Sequence, residues 1–186
     1  MSDIEILYNF YNNHFSSTID TFENCSLDRI NRLNLSHSKT KCFNFDKVKR
    51  IVFVNEDSCC SVDSLYFDLD KNILYFIEFK NASIKEAKKN VIRSSRESYI
   101  INRFLSTFAK IVDINNIKCH ALLVTSEIKN NIYFSNENLI KLSGNNSKHP
   151  QLLSLESKLK NFSYFSENMF FDSVDIMSET AFDSQF

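Results

Sequence analysis

The residues best suited to chemistry lie in one stretch, "SVDSLYFDLDKNILYFIEFKNAS", residues 61–83. Its second half is almost wholly apolar and ends in Glu78-Phe79-Lys80, and Asp63 stands upstream of the first apolar run. Side chains two apart on a strand point to the same face, so Glu78 and Lys80 are neighbours if this run is extended. The turn signal "DKN" between the two runs predicts a hairpin. An even-numbered loop centred on Asp70-Lys71 sets Asp63 opposite Glu78, and one centred on Lys71-Asn72 sets it opposite Lys80. Either register brings all three side chains to one face at one end of a sheet, whereas an odd-numbered loop turns Asp63 away. Two carboxylates and a lysine converging at a strand end suit a hard divalent cation. Mg²⁺ takes oxygen ligands and is commonly held by one or two carboxylates plus water and substrate phosphate. Such an ion lowers the pKa of a bound water and offsets charge at a phosphorus centre, with the lysine beside it orienting water or stabilising that charge. Burying these groups without a partner would cost on the order of several kcal/mol per ion.

The surrounding pattern says which elements must carry them. Residues 3–16 place Ile4, Leu7, Tyr8, Tyr11, His14 and Phe15 on one helical face. "CSLDRINRLN" predicts a second short helix with Ser26 as N-cap. Residues 36–47 read as a polar, basic loop, and "KRIVFVNE" as a first strand over about residues 50–55. "VDSLYFDL" alternates as a half-buried strand. "ILYFIEF" is apolar on both faces, the mark of a central strand. A long helix is expected from about Ile84, capped by Ser83, with a break at Ser94-Ser95. A further strand follows over residues 117–125, then a polar loop with Gly144, then a helix with Pro150 in its first turn. The last 25 residues, with Phe162, Tyr164, Phe165, Phe170 and Phe171 among acids, carry no clear pattern. The order helix, three strands, helix, strand, helix predicts an α/β sandwich around a mixed sheet. The β–long helix–β step over residues 73–125 predicts a parallel pair.

A chain of 186 residues with 43% hydrophobic residues suffices for one domain with a substantial core. It carries one Gly and one Pro, so Asn, Asp, Ser and Lys must make its tight turns. Five cysteines without a CxxC pair argue against a zinc site or a disulfide framework and suit reduced thiols in the cytoplasm. No apolar run approaches a membrane span, and the acidic N-terminus does not read as a signal peptide. Net charge is only −1, but residues 80–110 carry eight Lys or Arg against Glu86 and Glu97. Residues 156–186 are acidic. A basic middle points to an anionic partner.

Asp63 followed by Glu78-Phe79-Lys80 after a hairpin resembles the PD-(D/E)xK, or restriction-endonuclease-like, nuclease superfamily. Four Glu-x-Lys triplets occur, at Glu78, Glu86, Glu127 and Glu156, and only Glu78 ends a hairpin strand with an aspartate facing it. The resemblance covers roughly residues 3–126. It implies a three-layer α/β/α sandwich with a helix-β-β-β-helix-β core over residues 1–130 and a C-terminal extension over 131–186. It also implies Mg²⁺ or Mn²⁺ held by Asp63 and Glu78, with Lys80 assisting attack of water on a phosphodiester. Helix cations Lys85, Lys88, Lys89, Arg93 and Arg96 would hold phosphates. The chain departs from the family pattern in two places. Val62 stands where the motif has Pro, and Arg96-Glu97-Ser98-Tyr99 keeps only the tyrosine of a Gln-x-x-Tyr signature found in some members. Some members add an acid, for which Glu5, Glu23, Asp28, Glu56 and Asp57 are candidates. Viral cap-snatching endonucleases, with a related site, add a histidine, for which His14 and His37 are candidates.

Two functions are expected from this reading. One is a metal-dependent nuclease acting on DNA or RNA. The other is a catalytically inactive module on the same scaffold that binds nucleic acid or, through the acidic Phe-rich C-terminal segment, a protein.

Overall fold

The computed structural model describes residues 1–53, 60–134, 148–160 and 171–186; side chains of 85–92 and 158–159 lie outside the described set. The expected "ILYFIEF" strand forms the axis of the fold as β6 (Ile73–Lys80), buried at every position except its last. It pairs antiparallel with β5 (Ser64–Asp68) and parallel with β7 (Lys118–Thr125). A central strand covered on both faces needs an apolar sequence on both faces, which is what residues 73–79 supply.

The remaining elements, in chain order, are α1 (Asp3–His14), β1 (Ile19–Thr21), α2 (Phe22–Cys25), β2 (Leu27–Asp28), β3 (Leu33–Asn34), β4 (Lys41–Asn44) and α3 (Phe45–Val52). After β6 come α4 (Ile84–Ala109), β7, α5 (Asn131–Phe134), α6 (Pro150–Lys160), β8 (Ser173–Ser178) and α7 (Glu179–Gln185). The protein is thus α/β, with a mixed six-stranded sheet in the order β1-β4-β5-β6-β7-β8. The β1, β4, β5 and β6 steps are antiparallel, and β6, β7 and β8 run parallel. Helices pack on both faces. Ile4, Leu7 and Tyr11 of α1 and Ile101 and Leu105 of α4 cover the face bearing Leu65, Phe67, Leu74 and Phe76. Phe22 of α2 and Phe182 of α7 cover the face bearing Tyr75, Ile77 and Phe79. Among the described residues no helix is long and apolar enough to cross a membrane.

Several local expectations are corrected. "KRIVFV" does not begin a strand. Residues 45–52 are helical because Asn44 caps them, its side chain accepting from the Lys47 N–H at 3.1 Å, with Asp46 in the first turn and Lys49 and Arg50 in the last. The strand beside β5 comes earlier, at β4, inside the expected polar loop. Residues 54–59, with Glu56 and Asp57, lie outside the described residues.

"CSLDRINRLN" is not a helix but a small hairpin, β2 with β3. Asp28 ties its own turn by accepting from the Ile30 and Asn31 N–H groups, the local competition that keeps Asp out of helix interiors. The α4 helix runs through Ser94 and Ser95 without the expected break. Both are buried. At the N-terminus of α4, the Ile84 N–H is received by Asn130 Oδ1 at 2.8 Å. Within the unassigned tail, β8 extends the sheet beyond β7. His14, placed by its spacing in the apolar stripe of α1, is exposed, its ring 4.6 Å from that of Phe10.

Candidate active site

The β5–β6 register aligns Ser64 with Ile77 and Asp68 with Ile73. Its loop is centred on Asp70-Lys71, and one further step sets Asp63 opposite Glu78. Loop geometry enforces this choice. Asp68 accepts from the Lys71 N–H at 3.1 Å, its carboxylate pairs with the Lys71 ammonium at 2.8 Å, and Asn72 takes φ 56° where a glycine would otherwise be favoured. Asp63, Glu78 and Lys80 therefore lie on the α1/α4 face at the end of the sheet where β6 leaves for α4.

Each carboxylate is held differently. Asp63 Oδ2 accepts from the Phe79 N–H at 2.6 Å, and its carbonyl accepts from the Phe45 N–H at 3.0 Å. Glu78 is 2% exposed. Its Oε1 pairs with the Lys80 ammonium, and its Oε2 is buried with no hydrogen-bond partner. An unpartnered buried carboxylate oxygen is costly and asks for an explanation.

Electrostatics follow from this crowding. Burial raises the Asp63 pKa to about 7 against the lowering pull of Lys80 and the Phe79 N–H, and Asp46 adds a smaller push upward. Burial, then the charge of Asp63, raises Glu78 well above the usual carboxylate range, again against Lys80. For Lys80, burial opposes the charge, but the carboxylates of Glu78 and Asp63 outweigh it and the pKa is raised.

Further side chains position the site. Ser98 Oγ accepts from the Val62 N–H, and Glu97 accepts from the Cys60 N–H, so α4 clamps the segment entering Asp63. Asp46, from the first turn of α3, acts on all three charged groups. It receives a hydrogen bond from Ser61 Oγ and pairs with Lys49 at 3.6 Å. Sequence reasoning missed Asp46; the available signal was "NFDK", an Asn cap with an acid in the following turn.

Among the nominated extra ligands, Asp28 shares a concavity of about 340 Å³ with Asp63 and Lys80. Its carboxylate lies below its ordinary pKa because Asn31 donates to it from side chain and backbone. Glu5 instead caps α1, its carboxylate accepting from Ser2. Glu23 pairs with Lys39. The His37 N–H donates to Asp183 at 3.0 Å, and His37 lines a separate concavity with Glu23 and Asn81. Arg93 is exposed and pairs with Glu97 at 2.9 Å. Neither it nor Arg96 lines the two concavities that reach Asp63 among the described residues. The side chains of Lys85, Lys88 and Lys89 lie outside the described residues. Among the described residues no group of three or more His, Cys, Asp or Glu is arranged to hold a metal ion. Comparison with protein-family models, curated proteins and solved structures finds no match.

Proposed function

We propose that the chain is a metal-dependent nuclease of the PD-(D/E)xK type, hydrolysing phosphodiester bonds of DNA or RNA. One observation carries this reading: Asp63, Glu78 and Lys80 share one face at the end of the β5–β6 hairpin, with Glu78 Oε2 buried and unpartnered. Support also comes from the order of elements. An antiparallel β4-β5-β6 meander, then α4, then a parallel β7, is similar to the superfamily's core.

The donor set fits Mg²⁺ or Mn²⁺. It offers hard carboxylate oxygens from Asp63 and Glu78, one of them without a partner, and two protein carboxylates are an ordinary complement for Mg²⁺. When bound, such an ion supplies activation of water at neutral pH and compensation of charge at phosphorus. The chain's own residues do the rest. The Phe79 N–H fixes the rotamer of Asp63. Glu78 holds Lys80 at the rim, with the lysine side chain 30% exposed. From there the ammonium orients water and stabilises negative charge developing on a scissile phosphate.

In nuclease assays with Mg²⁺ or Mn²⁺, Asp63→Ala and Lys80→Ala are each expected to lower cleavage at least about 100-fold, with the circular-dichroism spectrum unchanged. Full activity in either variant overturns the assignment.

A second reading, a nuclease-fold module without catalysis, draws on the closed pairing of Lys80 with Glu78. The two separate on metal: a nuclease gains thermal stability from Mn²⁺ because the ion binds the folded state, whereas an inactive module shows no shift.

A further inference from the structure

The small hairpin β2–β3 and helix α3 lie outside the helix-β-β-β-helix-β pattern, yet both reach the site. A concavity of about 210 Å³ runs from Asp63 and Asp46 to Arg29 at the hairpin turn and to Lys47 and Arg50 on α3. Lys47 and Arg50 are three apart and share a helix face. Lys47 is paired with Asp20 at 2.8 Å. Arg29 and Arg50 are exposed and have no ion-pair partner among the described residues. Arginines kept unpaired beside acids at a concave surface suit an anionic ligand, and a phosphate matches their fork geometry.

A second concavity, with Lys80 and Ile30 on its wall, meets the first at Asp63, Cys25 and Leu27. The two make one trough passing Asp63, cationic on one side and partly apolar on the other. Leu27 is 47% and Ile30 92% exposed. Adjoining concavities of about 210 and 340 Å³ on either side of Asp63 offer room for more than a lone phosphate. The trough suits a strand with backbone phosphates on the arginines and base faces against Leu27 and Ile30.

We infer that Arg29 and Arg50 form a backbone-phosphate subsite beside Asp63, with the β2–β3 hairpin as the arm that seats a polynucleotide strand in the trough. This rests on the nuclease reading for the identity of the reacting bond, but its readout is binding. Labelled single-stranded and duplex oligonucleotides of DNA and RNA are titrated by fluorescence anisotropy across a salt series, in EDTA to prevent cleavage. Arg29→Ala and Arg50→Ala are each expected to weaken binding and to reduce the slope of log affinity against log salt by about one, and the double variant by about two. Lys118→Ala, at the opposite end of β7, is expected to change neither quantity. Inorganic phosphate and mononucleotides are expected to compete only at concentrations far above that of an unlabelled oligonucleotide.

Wild-type binding and slope in both arginine variants overturns the subsite, even if the protein cleaves. Equal competition by inorganic phosphate overturns the polynucleotide assignment. Loss of slope in the variants supports the subsite, even if Asp63→Ala retains cleavage and the catalytic assignment falls.

Discussion

Asp63 and Glu78 sit where water solvates a carboxylate poorly, and the charge of Asp63 adds to the cost of ionising Glu78. Both carboxyls therefore titrate higher in the folded protein than in the unfolded chain. Between the ordinary aspartate range and about 7, the Asp63 value, the fold binds more protons than the unfolded chain. Stability must then fall as pH rises through that window. For the metal-free protein, the thermal midpoint is expected to be higher near about pH 5 than near about pH 8, and Asp63→Asn is expected to flatten that slope. Differential scanning fluorimetry across pH checks this; a midpoint that rises steadily to about pH 8 contradicts it. Under the proposed metal site, Mn²⁺ acts in the opposite sense, raising the midpoint more at the higher pH, because protons compete with the cation for the same oxygens. At this scale the three charged residues were legible in the chain. Asp46 was not, because its approach depends on α3, which the sequence pattern "KRIVFV" disguised as a strand.

The β5–β6 hairpin is the element that makes the site, and it is held at both ends. Its loop is set by Asp68, Lys71 and Asn72, and the segment before Asp63 is set by Glu97 and Ser98 of α4. Ser98→Ala leaves the buried Val62 N–H without its acceptor, at a cost of about 1–3 kcal/mol. Under the proposed nuclease function, it is expected to reduce cleavage by loosening Asp63 rather than by removing a reacting group, so turnover falls while the shape of its pH profile is kept. The junction of β6 with α4 depends on Asn130. This buried residue receives the Ile84 N–H and donates to the Ala82 and Ser126 carbonyls and to Thr125 Oγ1. Asn130→Ala is expected to destabilise the protein by about 2–4 kcal/mol in denaturant unfolding, since several buried polar groups lose their partner together. Strand β6 and helix α4 were readable from periodicity. The hairpin at residues 27–34 was not, because its strands are too short to show alternation and the turn at Arg32, φ 54°, uses a residue with no turn signature.

Across the whole molecule, the C-terminal segment completes both the sheet and the second core. Strand β8 pairs parallel with β7, and Phe182 packs among Phe22, Phe79 and Phe186, with ring centroids 5.0, 5.3 and 4.8 Å away. The Phe186 carbonyl receives the Thr40 hydroxyl, and Asp183 receives Ser36 and the His37 N–H, so the chain end is sewn to the segment preceding β4. Phe171 and Phe182 are buried in the core, whereas Phe162, Tyr164, Phe165 and Phe170, on which the expected protein partner also rested, lie outside the described residues. Phe182→Ala is expected to cost about 3–5 kcal/mol, measured by denaturant unfolding, as for other large buried aromatics. The sequence by itself determined which charged groups stand two apart on a buried strand, that strand's central place, the parallel return through a long helix, and the turn chemistry that replaces glycine. All of these are properties of neighbouring residues. Only the tertiary structure decided that Asp63 faces Glu78 rather than Lys80, that Asp46, Arg29 and Arg50 come to the same trough, and that the tail becomes a strand. Those outcomes depend on loop closure and on packing between segments far apart in the chain, which local periodicity does not encode.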